Sequence, residues 1–221
     1  MDDRTVTRVG GWAGVVGGVL AILVNVFYPR LDSANLGNPA ANIQLAADTQ
    51  YWEWLHVALV ATLLIILAAF YAVAKAIVDP SAAAWARFGL GAVVIGTTLG
   101  IAGFGILATL GGIGESSAEA VVNVGGGLLN VWVMAYFGLG ALLYGLAIAD
   151  SDRYPSWLGW VLMLGGLVGI VSGAVDMVIG PNTAVTYILF PVSSGILTLA
   201  LIYLGVLLLR PPSRVVGAHS M

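Results

Sequence analysis

Three side chains carry most of the chemistry this sequence can offer: Glu53, His56 and Asp176. The first two belong to the run Tyr51-Trp52-Glu53-Trp54-Leu55-His56. Three residues apart on a helix, Glu53 and His56 lie one turn apart and about 60° apart around the axis, close enough to meet. A carboxylate beside an imidazole favours the imidazolium and burial opposes it, so such a pair exchanges a proton near neutral pH. The plainer alternative is that Glu53 faces water while His56 finds one hydrogen bond. Asp176 stands alone in an apolar run, where a carboxylate is costly unless it is partnered, and its role is either acid–base chemistry or a structural hydrogen bond to Asn25, Asn130 or Ser194. Two carboxylates and an imidazole suit zinc or iron in composition. Di-iron bundles, however, repeat Glu-x-x-His and add further glutamates, and one copy occurs here, so no metal is assigned. The second histidine, His219, lies near the C-terminus, away from His56, which argues against a bis-histidine haem. With no cysteine there is no thiolate site or disulfide. No Ser-His-Asp spacing, phosphate loop or dinucleotide fingerprint appears, and no cofactor is indicated.

The elements that must position these residues follow from composition. The 221 residues are 60% hydrophobic and 9% charged, with 30 glycines, and the mean hydropathy is +0.99. Too few polar groups exist to clothe a water-facing surface, so the solvent for most of this surface is lipid. Six apolar runs, at roughly 9–28, 52–77, 85–110, 121–148, 156–179 and 185–209, each match the roughly 20 residues of a spanning helix and lack the alternation of a barrel strand. The fold expected is an all-α, polytopic membrane protein: one six-helix transmembrane domain over 1–210 with glycine-rich packing, then a short tail at 211–221. The first run is about as long as a spanning helix and is read as retained, not as a signal peptide. With the N-terminus inside, Arg4, Arg8, Lys75, Arg87, Arg153, Arg210 and Arg214 are cytoplasmic and Arg30 alone is outside, which puts both termini in the cytoplasm of what is expected to be a prokaryotic cell. Asp32, Asp48, Glu53, Glu115, Glu119 and Asp176 make the outer side acidic. Tyr28, Tyr51, Trp52, Trp54, Trp85, Tyr154, Trp157 and Trp160 read as interfacial belts.

Glycine spacing tells which faces turn inward. In the fifth run Gly165, Gly169 and Gly173 repeat every four residues and share an arc with Ser172 and Asp176. In the first, Gly11, Gly14 and Gly18 share a face with Asn25. In the fourth, Gly127 aligns with Asn123 and Asn130, and in the sixth Ser194 aligns with Thr198 and Gly205. With the orientation above, these polar groups fall in the outer half of the helices, and the inner half is nearly bare apart from Lys75, which snorkels at its helix end. A channel needs polar groups along its whole path. The pattern therefore predicts a blind, outward-opening vestibule, polar at the mouth and apolar at the floor, with Asn25, Trp52, Trp54, Asn123, Asn130, Ser172 and Ser194 as ligand-binding residues around Glu53, His56 and Asp176.

One further reading rests on motif order. An arginine leads into a glycine-rich first helix, Trp52-x-x-Leu55-His56 opens the second, and Phe137-Gly-Leu-Gly precedes Tyr154-Pro-Ser-Trp-Leu-Gly-Trp160. This order resembles bacterial and archaeal families of small six-helix membrane proteins catalogued as domains of unknown function. The resemblance implies the fold over nearly the whole chain, and no activity. Three functions stay open on the residues: binding of a small or amphiphilic, lipid- or isoprenoid-like ligand; an enzyme using Glu53 or Asp176 as acid and His56 as base on such a substrate; and a structural subunit, or homo-oligomer, joined through glycine faces. Membrane lipid is the expected surrounding partner, and nothing suggests nucleic acid.

Overall fold

A computed structural model describes residues 2–30, 38–113, 115–179 and 186–210. Six of its helices are long and apolar enough to cross a membrane, at Asp3–Phe27, Trp52–Ala76, Pro80–Gly112, Ser117–Ala149, Ser156–Ile179 and Tyr187–Leu209. The chain is an all-α integral membrane protein. Its tail at 211–221, with Arg214 and His219, and Asp32, expected on the outer side, lie outside the described residues.

In chain order the helices are α1 (Asp3–Phe27), α2 (Pro39–Asp48), α3 (Trp52–Ala76), α4 (Pro80–Ala108), α5 (Glu115–Trp132), α6 (Ala141–Ala149), α7 (Ser156–Ile179) and α8 (Thr186–Leu209). α1 starts six residues earlier than its apolar run because Asp2 caps it, accepting from the Thr5 amide at 2.8 Å. α2 was not expected, since it falls between the first and second apolar runs. Its local signal is Asn38 before Pro39, a capping side chain followed by a residue whose fixed φ suits a first turn. The Asn38 side chain accepts from the Ala40 amide at 3.0 Å. The fourth span is not one α-helix, since Val133–Gly140 between α5 and α6 is π-helical, and α8 carries Pro191 inside it.

α1 packs on α3 and α8, α3 on α4, α4 on the fourth span, that span on α7, and α7 on α8. The six spans thus form a ring in chain order, closed where the first meets the last. Glycines set the close seams. An added Cβ at Gly14 would lie 2.9 Å from the Leu201 carbonyl, which fixes α1 on α8, and one at Gly166 would lie 2.6 Å from the Leu142 amide, which fixes α7 on α6. α7 follows the π-helical stretch and α6 closely but meets α5 lightly, so α5 and α7 diverge toward the end of the bundle that carries Arg30. At the opposite end, near Lys75, Phe70, Val73, Tyr144, Leu158, Leu162 and Leu204 fill the ring as solid core. There the Tyr144 hydroxyl donates to the Phe70 carbonyl at 2.9 Å, tying α6 to α3.

Candidate functional site

At the Arg30 end the ring is not filled. A cavity of about 330 Å³ opens there, with Asn25, Arg30, Asn42 and Asp176 at its mouth, Trp52, Asn130, Trp132 and Ser194 along its walls, and Thr62, Ile66, Tyr136, Thr198 and Leu201 at its deep end. From Trp52 to Ile66 is 14 residues of α3, about 21 Å of depth at 1.5 Å per residue. That exceeds half of a hydrocarbon core about 30 Å thick, and solid packing lies beyond it. α2 lies beside the mouth, with Ala46 packed in one apolar cluster with Trp52, Leu110, Ala118 and Val122. The Trp52 indole donates to the Leu107 carbonyl at 2.8 Å, which fixes the start of α3 against α4.

The inward stripe of α3 is Trp52, His56, Leu59 and Leu63, at intervals of four, three and four. It decides the fate of the expected Glu53–His56 pair. Glu53 sits about 100° round the helix from Trp52 and Trp54 about 200° round, and both are exposed, Trp54 at 75%. Neither lines the cavity. His56, only 1% exposed, is enclosed by the rings of Trp52, Tyr28 and Phe104, with centroids 4.5, 5.9 and 6.0 Å away. Its Nδ1 lies 2.8 Å from the Trp52 carbonyl oxygen. A carbonyl only accepts, so Nδ1 carries the proton and Nε2 is left as a bare acceptor, without a hydrogen-bond partner among the described residues. The acid–base contact is therefore not formed: one helix cannot turn both Glu53 and the Trp52–His56 stripe inward.

Of the remaining expected residues, Asn25, Asn130, Asp176 and Ser194 line the cavity with Trp52. The Asn25 amide donates to the Ala21 carbonyl at 2.9 Å, within its own helix. Asp176 is half-buried, three residues before the end of α7. Ser172 is fully buried and does not line the cavity. Asn123 shares a helical face with Asn130, seven residues on, yet it is exposed because α5 has left α7 at that level.

Aromatic residues at mid-span escaped the sequence reading, which looked for aromatics at helix ends. Trp132 on α5 contacts the rings of Phe104, Phe137 and Phe190 at 5.1, 5.0 and 6.0 Å, and Tyr136 contacts Phe70 at 5.7 Å. Together with Tyr28, Trp52 and His56 they form an aromatic column from the mouth past the middle of the bundle. The signal available in sequence was the i, i+4 spacing of Trp132 and Tyr136 in the centre of an apolar run, where belt residues do not belong. At the mouth, burial pushes the Tyr28 hydroxyl up to about 12, so it stays protonated at physiological pH. Among the described residues no three histidine or acidic side chains come together as a metal site would require. No family model, curated protein or solved structure matches the chain.

Proposed function

We propose that this integral membrane protein binds a small or amphiphilic molecule of lipid or isoprenoid type in the cavity, reached from the outer side of a prokaryotic cell membrane. The orientation rests on the asymmetry of basic residues, with Arg30 alone at the cavity end among the described residues. The observation that carries the reading is the shape and polarity of the cavity. A void of about 330 Å³ lies at the small end of ligand-site volumes, with its charged side chains at the mouth, a mostly apolar body that carries a few hydroxyl and amide groups, and a closed floor. The polar part of the ligand sits among Asn25, Arg30, Asn42, Asn130 and Asp176, and its apolar part lies against Leu59, Leu63, Ile66 and Leu197. His56 and Ser172 support the wall. Catalysis by Glu53 and His56 lacks the contact it needs. The subunit reading loses its motive where the glycine faces, such as Gly14 against α8 and Gly166 against α6, are covered by the chain's own helices.

Gly126 supplies the test. It lines the cavity, and an added Cβ there meets no atom within 4 Å. Its neighbour Gly127 is exposed and equally open. In native mass spectrometry of gently purified protein, wild type and Gly127→Leu should carry an extra small-molecule mass and Gly126→Leu should not. Wild type without such a mass, or Gly126→Leu retaining it, overturns the proposal.

A further inference from the structure

Two hydrogen-bond donors in the cavity wall have nothing to donate to. Trp132 and Tyr136 line the cavity, are only 6% and 1% exposed, and neither the Trp132 Nε1 nor the Tyr136 Oη has a hydrogen-bond partner among the described residues. Buried polar groups are ordinarily paired, and two exceptions one turn apart on one cavity wall call for a missing partner. Both atoms are covered by protein in the structure, the Trp132 Nε1 lying beside Gly100 of α4. A small turn of side chains that already border the cavity brings them to it.

The chemistry of that partner is constrained. An indole N–H only donates, so the partner must present an acceptor oxygen. The surrounding rings of Phe104, Phe137 and Phe190 favour a flat aromatic or quinonoid ring over a flexible chain. Asn130, also on the cavity wall, lies two residues before Trp132 and six before Tyr136, about 3 and 9 Å higher along the helix. A ring with oxygens on opposite edges meets the amide above and the two donors below. Resting on the cavity reading above, we propose that the occupant is a lipid-soluble ring carbonyl compound of the quinone class, one oxygen held by Trp132 Nε1 and Tyr136 Oη and the other in the tier of Asn130.

The experiment uses the full chain in detergent and two probes that share a ring system, 2-methyl-1,4-naphthoquinone and 2-methylnaphthalene, with affinities measured by equilibrium dialysis. Wild type should bind the quinone at least about tenfold more tightly than the hydrocarbon. Trp132→Phe and Tyr136→Phe, which keep a ring and remove the donor, should each lower quinone affinity about tenfold and leave hydrocarbon affinity unchanged. Trp54→Phe should change neither. Equal affinities for the two probes in wild type, or Phe variants that bind the quinone as wild type does, overturn the carbonyl assignment and leave the cavity reading standing. Failure of the quinone to bind wild type overturns the quinone assignment, whereas probe binding that survives Gly126→Leu overturns the cavity reading itself. Should a Phe variant lose both probes together, the infrared carbonyl stretch of quinone bound to wild type decides: a shift to lower frequency supports the hydrogen bonds, and an unshifted band overturns them.

Discussion

Replacing Gly166 with alanine tests how the bundle is held together. The added methyl would lie 2.6 Å from the Leu142 amide nitrogen, 2.8 Å from the Gly138 carbonyl oxygen and 3.0 Å from the Leu142 Cα. All three are backbone atoms, so no rotamer relieves the clash. Reaching the 3.4 Å of ordinary contact from 2.6 Å requires α7 to withdraw from α6 by about 0.8 Å. A gap of that size forfeits roughly a quarter to a half of the dispersion attraction at each contact along the seam. The seam is tight elsewhere too: a methyl on Gly145 would lie 2.7 Å from the Gly159 carbonyl. Overpacking of this kind costs about 1–3 kcal/mol, reduced by the roughly 0.5–1 kcal/mol that alanine gains over glycine inside a helix. The difference of these ranges is centred on a loss of about 1.3 kcal/mol and reaches about 2.5 kcal/mol, so the expected change is roughly ninefold in the unfolding equilibrium. Gly127→Ala meets no atom within 4 Å and should be neutral, or gain up to about 1 kcal/mol. Reversible unfolding in mixed micelles with increasing dodecyl sulfate reads both variants against wild type. Gly166→Ala as stable as wild type, or Gly127→Ala as damaging as Gly166→Ala, would show that α6 and α7 do not approach as described.

Other outcomes follow from the same contacts. Tyr144→Phe removes the donor to the Phe70 carbonyl and should destabilise the ligand-free protein by about 1 kcal/mol, whereas Tyr136→Phe removes an unpaired hydroxyl and should be neutral or stabilising; thermal unfolding of the two side by side checks the contrast. Because the chain has no cysteine, Gln50→Cys and Asp152→Cys report topology without background. Impermeant maleimide added to intact cells should label the first and not the second, and the reverse would invert the proposed orientation. The Thr5 hydrogen bonds hold the Asp2 carboxyl below its usual range. Its capping contribution is therefore full above the unfolded carboxyl pKa and is lost as pH falls through the lowered one. Amide exchange at Thr5 and Val6, corrected for intrinsic rates, should lose protection in that acid window and be flat from pH 6 to 8, and Asp2→Asn should remove the pH dependence.

Hydropathy and run length alone settled that this chain crosses a membrane as six helices, because about 20 apolar residues in a row have one stable use. Glycine periodicity marked the packed faces of α1 and α7, because a repeat of three or four on a helix is a stripe wherever the helix goes, but it failed on α5, where Gly127 is exposed and an added Cβ meets no atom within 4 Å. The sequence could not say which residues of the Tyr51–His56 motif turn inward. Both Glu53 with His56 and Trp52 with His56 are neighbours on a helix surface, and the choice between them depends on how far α3 is rotated against α1 and α4. Nor could it foresee that Asn123 and Asn130, on one stripe, would part company, since that follows from the divergence of α5 from α7. Residues 39–48 carried a capping signal, but their helix is placed by burial of Ala46 in one cluster with Leu110, Ala118 and Val122, residues distant in sequence. The aromatic column shows the limit most plainly. Phe104, Trp132, Tyr136 and Phe190 belong to three different spans, and although the spacing of Trp132 and Tyr136 marks one face of their own run, nothing in any single run says which rings of the other spans meet it. Only closure of the ring brings their faces together around one cavity, because contacts between helices are set by packing that no single helix encodes.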